Sequence, residues 1–251
     1  CEQACVLGII ADPISIETIE KNIVERAFSE GWIVAQQPSV RTGKKIAVIG
    51  SGPAGLAAAQ QLNRAGHSVS VFERDDALGG LLRYGIPNFK LEKEIIDRRI
   101  AILKEEGIEF YTNINVGINY SVEKLKEFDA IVLCGGATQR RSLPTPGIET
   151  KGVVQAMDFL TQATKVVFGK EVKDQVLATD KNVIVIGGGD TGSDCVGTSN
   201  RQGAKSVTNF EIMPKPPEFR SPSTPWPFWP LQLKTSTSHK EGCDRNWLIN
   251  T

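Results

Sequence analysis

Two glycine-rich hexapeptides, each placed between an apolar run and a helix-forming run, constrain the fold of this chain more than any other feature of its sequence. The first is Gly50-Ser-Gly-Pro-Ala-Gly55 and the second is Gly187-Gly-Gly-Asp-Thr-Gly192. Both match the pattern G-x-G-x-x-G, and an apolar run of the length of a buried parallel strand precedes each. The pattern predicts a strand, a tight turn and a helix at both places, which together begin a βαβ unit.

The elements around the first hexapeptide are typical of an α/β domain with a parallel sheet. A glycine at Gly66 stops the helix that follows the hexapeptide, and Glu73 ends the next strand. The spacing of apolar residues predicts strands over 46–49, 69–72, 109–111 and 130–133 and helices over 53–65 and 91–103.

The second hexapeptide starts the same pattern again. A strand over 182–186 precedes it, and a weakly apolar helix over 193–202 and a strand over 207–210 follow it. The prolines between Pro214 and Pro230 then exclude a long helix or a central strand. We expect the aromatic residues of this extended segment to fold over their own domain; they are Trp226, Phe228 and Trp229.

Each glycine of the first hexapeptide has a predicted task at a dinucleotide pyrophosphate. Gly50 makes the tight turn, Gly52 lets the backbone approach the phosphates, and Gly55 lets the helix pack against the strand. The N-terminus of that helix presents free N–H groups to phosphate oxygens. Glu73 is expected to accept hydrogen bonds from ribose hydroxyls. The first hexapeptide therefore predicts a dinucleotide site.

Glu211 occupies the matching position after the second hexapeptide. Because a carboxylate favours a free ribose 2′-hydroxyl and repels a 2′-phosphate, Glu211 favours NADH. Arg201, Lys215 and Arg220 lie close enough in sequence to bind a 2′-phosphate, so NADPH stays open as well. Two dinucleotide sites in one chain predict a hydride relay from a nicotinamide to a flavin. Such a relay needs no acid–base or nucleophilic residue, and we predict none.

Charge and hydropathy exclude several other classes of function. The chain has 251 residues, and its 29 Lys and Arg balance 29 Asp and Glu, so it lacks the basic excess of nucleic-acid-binding proteins. No run approaches the roughly 18 apolar residues that a membrane span needs, and no signal segment opens the chain. We expect a cytoplasmic protein without a membrane or nucleic-acid partner.

Four of the five cysteines fall into two groups. Cys1 and Cys5 have the spacing C-x-x-x-C, ahead of a predicted amphipathic helix that begins after Ser15. Thiolates so placed ligate iron–sulfur clusters or zinc, but four ligands are usual, so ligation and a structural or free-thiol role both stay open. Cys134, at the end of a strand, and Cys195, in a helix, are expected to be small core residues.

Further motifs extend almost from end to end of the chain. They are Cys1-Glu-Gln-Ala-Cys5-Val-Leu-Gly, Gly79-Gly-Leu-Leu-Arg-Tyr-Gly-Ile-Pro87, Asn209-Phe-Glu-Ile-Met-Pro-Lys-Pro-Pro217, Pro225-Trp-Pro-Phe-Trp-Pro230 and Thr235-Ser-Thr-Ser-His-Lys-Glu-Gly242. Together with the two hexapeptides, they resemble the family of glutamate synthase small (beta) subunits. This family is part of a wider group of flavin and iron–sulfur NAD(P)H oxidoreductases that includes the N-terminal part of dihydropyrimidine dehydrogenase.

The resemblance implies cofactors for both sites. The first would hold FAD through Gly50, Gly52, Pro53, Ala54, Gly55, Glu73, Gly80, Arg83, Val116, Gly136 and Ala137. The second would hold NADH or NADPH through Gly188, Gly189, Asp190, Thr191, Glu211 and Arg220. Cys1 and Cys5 would be the last two cysteines of a longer set that ligates a 4Fe–4S cluster in the intact protein. Electrons would pass from NAD(P)H through FAD and clusters to a large subunit that makes glutamate from 2-oxoglutarate and glutamine-derived ammonia.

The family has a cysteine-rich helical domain upstream and a long C-terminal part that completes both sheets, so we expect this sequence to be a fragment that is inactive by itself. The predicted fold class is α/β, with two incomplete Rossmann-like units of the FAD and NAD(P) types after a short helical stub. The predicted domains are the iron–sulfur remnant over 1–40, the FAD part over 41–150 and the NAD(P) part over 151–251. Two alternatives remain: an oxidoreductase subunit of the dihydropyrimidine dehydrogenase type, and a dinucleotide-binding module without turnover.

Overall fold

Four parallel strands form the first sheet, around the first glycine hexapeptide. The computed structural model describes residues 2, 5–141, 143–228 and 231–250. The strands are β1 (Lys45–Ile49), β2 (Ser68–Phe72), β3 (Glu109–Tyr111) and β4 (Ala130–Leu133). Their order is β3-β2-β1-β4, and all three neighbouring pairs are parallel. This is the strand order of a Rossmann-type sheet, so the predicted α/β fold class is confirmed.

Four α-helices belong to this part of the described chain; the first precedes β1, and the others connect β1 to β2 and β2 to β3. They are α1 (Ile16–Ser29), α2 (Pro53–Arg64), α3 (Leu81–Tyr84) and α4 (Lys93–Glu105). Helix α2 begins with Gly52 at the N-cap and Pro53 at the first helical position, where proline is favoured. It ends just before Gly66, whose φ of +95° favours glycine.

Both faces of β1 are covered by apolar side chains. Because side chains alternate along a strand, Ile46 and Val48 face α2 whereas Ala47 faces the other side. The α2 side is a buried cluster of Ile46, Val48, Leu56, Ala59, Val69, Val71, Leu103 and Ile108. The opposite side is a smaller cluster of Ala47, Phe72 and Leu125. Burial of each large aliphatic side chain stabilises the fold by roughly 1.5–3 kcal/mol.

Three parallel strands form the second sheet. They are β5 (Asn182–Ile186), β6 (Ser206–Glu211) and β7 (Asp244–Trp247), in the order β5-β6-β7. Helices α5 (Ala156–Val167) and α6 (Asp190–Arg201) pack on it through a cluster that includes Leu160, Val185, Val196 and Val207. Cys195 is buried in this cluster, as predicted, and burial raises the pKa of its thiol to about 12.

Strand β7 lies after the proline-rich segment and had no prediction from sequence. It pairs with β6 from Thr208 opposite Asp244 to Glu211 opposite Trp247. Its sequence, Asp-Arg-Asn-Trp, has no apolar run and therefore no strand signal. Helix α5 also had no prediction, and α6 begins three residues before the predicted helix, directly at the glycine loop.

Strand β5 was predicted to be buried on both faces, and this is wrong. Val185 is buried against the helices, but Ile184 is 60% exposed and Ile186 is 52% exposed. The reason is that β5 is an edge strand whose second face has no covering element among the described residues. Strand β4 is likewise an edge strand, and its Leu133 is 81% exposed.

A short helix, α7 (Thr237–Lys240), gives the motif 235–242 a structural role. The Ser236 hydroxyl caps α7 by accepting from the backbone N–H of His239, and it lies 2.9 Å from Nδ1 of that histidine. The same hydroxyl lies 2.5 Å from the hydroxyl of Ser193 on α6. His239 is buried, at 9% exposure. Burial lowers the pKa of His239.

The N-terminal helix α1 has no buried residue. Its contact with α4 is polar and aromatic: Arg98 forms an ion pair with Glu25 at 2.6 Å, and its guanidinium lies 4.0 Å from the ring centre of Phe28. The apolar face predicted for this helix is present, but its Ile19 and Ile23 are exposed. The three predicted domain bounds stay predictions.

The proline-rich segment forms no helix or strand over its described residues between β6 and α7. Trp226 and Phe228 are exposed, so the prediction that they fold over their own domain is wrong for these two. Trp229 lies outside the described residues. Within the described ranges, no helix is both long and apolar enough to cross a membrane.

Candidate dinucleotide-binding sites

The first glycine loop joins β1 to α2, and its three glycines lie in different environments. Gly50 has a φ of +103°, which favours glycine. A Cβ on Gly55 would overlap the carbonyl oxygen of Gly50, so α2 lies closer to the loop than a side chain would allow. Gly52 faces open space, because no atom lies within 4 Å of a Cβ built there. This opening at the N-terminus of α2 fits the backbone approach of a pyrophosphate.

The second glycine loop repeats this arrangement between β5 and α6. Gly187 has a φ of +118°, and a Cβ on Gly192 would overlap the carbonyl oxygen of Gly187. Gly189 caps α6 and, like Gly52, has no atom within 4 Å of a Cβ built on it. Asp190 and Thr191 form the exposed first turn of α6. The two loops are therefore equivalent in backbone shape.

Glu73 is held tightly against the first loop. The residue is 4% exposed, and its Oε2 accepts hydrogen bonds from the backbone N–H of Ser51 at 2.9 Å and from the Ser51 hydroxyl at 2.5 Å. Its Oε1 accepts from the N–H of Asp75 at 2.9 Å. The carboxylate thus lies beside the loop, and most of its acceptor capacity is used within the protein.

Two further segments reach the first loop. A Cβ on Gly80 would lie 2.8 Å from the Cα of Gly52, so the turn before α3 packs on the loop. A Cβ on Gly50 would overlap the carbonyl oxygen of Cys134, so the segment after β4 also touches the loop. Gly136 and Ala137 follow in that segment and are exposed. The structure therefore brings the first loop, Glu73, Gly80 and the segment after β4 together.

Arg83 and Val116 make other contacts. Arg83 donates through Nε to the carbonyl oxygen of Leu78 at 2.9 Å and forms an ion pair with Asp97 on α4. Val116 pairs with Tyr120 and packs against the cluster that contains Phe72. Their roles in binding FAD stay predictions, as do those of Pro53 and Ala54 in the first turn of α2.

Glu211 lies over the second loop at the end of β6. A Cβ on Gly188 would overlap Oε2 of Glu211, and Oε1 accepts from the N–H of Met213 at 3.2 Å. Glu211 is partly exposed whereas Glu73 is buried. The acid after each second strand therefore reaches its own loop, and the second acid is the more exposed of the two.

Arg220 lies against the N-terminal segment. Its guanidinium donates to the carbonyl oxygen of Cys5 at 3.2 Å. The N–H groups of Ile14 and Leu7 hold the pKa of the Cys5 thiol below its ordinary value. Cys1 lies outside the described residues, and among those described no three His, Cys, Asp or Glu side chains are grouped to hold a metal.

A buried lysine lies near both units. Lys93 is 0% exposed, and its Nζ donates to the carbonyl oxygens of Ile86 and Leu91 at 2.7 and 2.8 Å. Burial, and secondarily the charge of Arg83, lower its pKa to about 8. Asp194 on α6 acts in the opposite direction on Lys93, and burial raises the pKa of Asp194 itself.

A family model described as pyridine nucleotide-disulphide oxidoreductase matches residues 44–224, a range that contains both glycine loops. The chain belongs to this family. Its membership agrees with the paired Rossmann-type sheets, and the structure of FprA from Mycobacterium tuberculosis in complex with NADPH has the same fold. That likeness has a TM-score of 0.57 at 23% identity and covers 68% of this chain and 44% of FprA.

Within the family, the resemblance to glutamate synthase small subunits is confirmed. The chain is 55% identical to the glutamate synthase [NADPH] small chain of Mycobacterium tuberculosis, over 100% of this chain and 53% of that protein. It is 52% identical to glutamate synthase [NADH] of Schizosaccharomyces pombe, over 96% of this chain and 12% of that protein. The chain thus spans about half the length of the small chain that it matches.

One residue at the first loop and one buried lysine outside it had no prediction from sequence. Ser51 is the second residue of the first hexapeptide, where the pattern accepts any residue. The only sequence signal for it is that the second hexapeptide has a glycine, Gly188, at the same place. Lys93 lies on an amphipathic helix, where a lysine ordinarily faces solvent.

Proposed function

We propose that this chain is the dinucleotide-binding part of a glutamate synthase small subunit, with FAD at the first glycine loop and NADH or NADPH at the second. The observation that carries the proposal is the pair of loops with open middle glycines, Gly52 and Gly189, each beside an acid that ends the second strand. The identity to a glutamate synthase small chain over the whole of this chain supports the choice of enzyme.

The chain's own residues bind and orient the cofactors. The free N–H groups at the starts of α2 and α6 face the two pyrophosphates, and none of the described side chains occupies the approach at Gly52 or Gly189. Glu73 and Glu211 accept hydrogen bonds from ribose hydroxyls. When bound, the two cofactors supply hydride transfer from nicotinamide to flavin. No acid–base residue of the chain is needed for this step.

The choice between NADH and NADPH depends on Glu211 in this proposal. Its carboxylate is partly exposed over the second loop, where it repels a 2′-phosphate and favours a free hydroxyl. Arg220 would favour NADPH if it bound a 2′-phosphate, but its guanidinium contacts the carbonyl oxygen of Cys5. The geometry favours NADH.

Cys1 and Cys5 are proposed ligands of a 4Fe–4S cluster that passes electrons onward. The lowered pKa of the Cys5 thiol supports this role, because the thiolate is the form that binds iron. We propose the large subunit of glutamate synthase as the electron acceptor. The zero net charge supports a protein partner over nucleic acid, and we propose a cytoplasmic location.

An anaerobic titration tests the first step. The intact protein is loaded with FAD and titrated with NADH and, separately, NADPH while the flavin absorbance is followed. We expect bleaching of the flavin band by at least one coenzyme. A matched Gly189→Val variant, whose side chain enters the open space of the second loop, should keep FAD but lose the bleaching. Absence of bleaching in the unchanged protein would contradict the proposal. It would favour the alternative that the protein is a dinucleotide-binding module without turnover.

A second assay tests the acceptor. The protein is combined with a glutamate synthase large subunit, 2-oxoglutarate and glutamine, and glutamate formation is measured. Bleaching by NAD(P)H together with no glutamate would favour another acceptor, such as a pyrimidine.

A further inference from the structure

The hydroxyl of Ser51 connects three parts of the first site. It donates its proton to Oε2 of Glu73 and accepts the backbone N–H of Gly79 at 3.0 Å. Ser51 is 0% exposed and Gly79 is buried, so these bonds are shielded from water. Gly79 is followed by Gly80, which packs on Gly52. One side chain thus holds the acid and the Gly79–Gly80 turn on the glycine loop.

The hydrogen bonds from Ser51 limit how many acceptor positions the Glu73 carboxylate can offer to a ligand. Each carboxylate oxygen accepts about two hydrogen bonds. Oε2 is filled by the N–H and the hydroxyl of Ser51, and Oε1 accepts one hydrogen bond from the described residues, the N–H of Asp75, which leaves it one position. Glu73 therefore presents a single acceptor to a ribose hydroxyl, and Ser51 fixes its direction.

The second loop is an internal comparison within the same chain. It has Gly188 in place of Ser51, and the Glu211 carboxylate lies where a side chain would be. The second site therefore has no hydroxyl to orient its acid, and its backbone shape is retained without one. A glycine at this place is compatible with a folded loop.

We propose that Ser51 is a positioning residue that preorganises Glu73 and the Gly79–Gly80 turn for FAD, and that the second site is left without this device. The inference rests on the proposed binding of FAD at the first loop. Preorganisation strengthens binding because the acid and the turn need not be ordered when the cofactor arrives. A serine that only stabilised the fold would affect unfolding but would not act through Glu73.

The test is a double-mutant cycle on FAD affinity, measured by quenching of flavin fluorescence in the intact purified protein. Ser51→Ala should weaken FAD binding roughly tenfold, since a hydrogen bond to a charged group is lost and a buried N–H is left without its acceptor. Glu73→Gln should weaken it as well, and adding Ser51→Ala to Glu73→Gln should have much less further effect. Ser51→Gly introduces the residue that the second loop has at this place, and it should weaken FAD binding as much as Ser51→Ala does. It serves as a second variant if the alanine variant does not fold.

The matched control is Ser70→Ala, which removes a serine hydroxyl that also donates to a glutamate, Glu109, at 2.9 Å on the same sheet. It should leave FAD affinity unchanged. Affinity for NAD(P)H at the second loop should stay within about twofold in every variant, because sites without shared partners are nearly additive. The inference would be overturned if FAD affinity were unchanged in both Ser51 variants, or if the effects of Ser51→Ala and Glu73→Gln on FAD affinity were fully additive. Either result would leave the proposed function intact. No FAD binding by the unchanged protein would instead overturn the proposed function and, with it, this role of Ser51.

Discussion

The carboxylate of Glu211 lies directly over the Cα of Gly188, in the space that a side chain at that position would fill. This contact places a negative charge on the second glycine loop, at the end of β6. We therefore expect the coenzyme preference of the protein to depend on this partly exposed acid.

Removal of this charge should shift the coenzyme preference toward NADPH. In Glu211→Gln, repulsion of a 2′-phosphate is lost, and we expect the ratio of NADPH to NADH affinity to rise roughly tenfold, as for a charge pair near a protein surface. Dissociation constants for both coenzymes check this. Glu218→Gln is the control, because Glu218 is a nearby exposed acid that pairs with Lys215 at 2.6 Å. A strong NADPH preference in the unchanged protein would contradict our interpretation of Glu211.

Substitutions of the middle and last loop glycines should have opposite consequences. Gly52→Ala should fold, because φ is −63° and the new methyl enters open space, with a cost of at most about 1 kcal/mol for the poorer N-cap. It should nevertheless weaken FAD binding at least tenfold by blocking the phosphates. Gly55→Ala should destabilise the fold itself by roughly 1–3 kcal/mol or more, because its methyl would overlap the carbonyl oxygen of Gly50. Thermal unfolding without cofactor and FAD titration separate the two effects.

The buried Lys93 should make stability rise with pH in the alkaline range. Its pKa falls from 10.5 to about 8 on folding, so the folded chain binds fewer protons between these values and the free energy of unfolding increases from pH 8 to pH 10.5. The neutral amine keeps two N–H groups, enough for the carbonyl oxygens of Ile86 and Leu91. In Lys93→Met the stability curve should be flatter over this range. Urea unfolding at several pH values measures it; parallel curves for the two proteins would rule the assignment out.

Glu106 should be a major contributor to stability at neutral pH. Its carboxylate is 0% exposed and accepts from Arg64 at 2.7 Å, from Gln60 and from the N–H of Gln36. Burial acts to raise its pKa, but the hydrogen bonds from Arg64, Gln60 and Gln36 outweigh it, so the pKa is lowered. Glu106→Gln should lower the free energy of unfolding by roughly 3 kcal/mol.

The contribution of Glu106 should also depend on pH in a defined direction. Because its pKa is lowered on folding, the contribution is present above the unfolded pKa near 4.5 and is lost as the pH falls below it. The difference in unfolding free energy between the unchanged protein and Glu106→Gln should therefore shrink in acid. Glu105→Gln, a change at the adjacent exposed residue, should have little effect at any pH.

The sequence by itself determined the two glycine loops, the strands that precede them and the acids that end the next strands. These features are local: a G-x-G-x-x-G turn, an apolar run and a carboxylate are each encoded by a few neighbouring residues. The family followed from the same motifs. Strand bounds such as Asn182–Ile186 agree with the structure because β-branched runs carry a strong local signal.

Only the tertiary structure decided what depends on distant pairing. Strand β7 exists because β6 offers it a parallel partner, although Asp244–Trp247 has no apolar pattern. Ser51 became a residue of the site because folding brings Glu73 and Gly79 to its hydroxyl, 22 and 28 positions away. Lys93 is buried because two carbonyl oxygens of a nearby turn accept its N–H groups. Such contacts depend on which segments meet in three dimensions, and no local pattern encodes that.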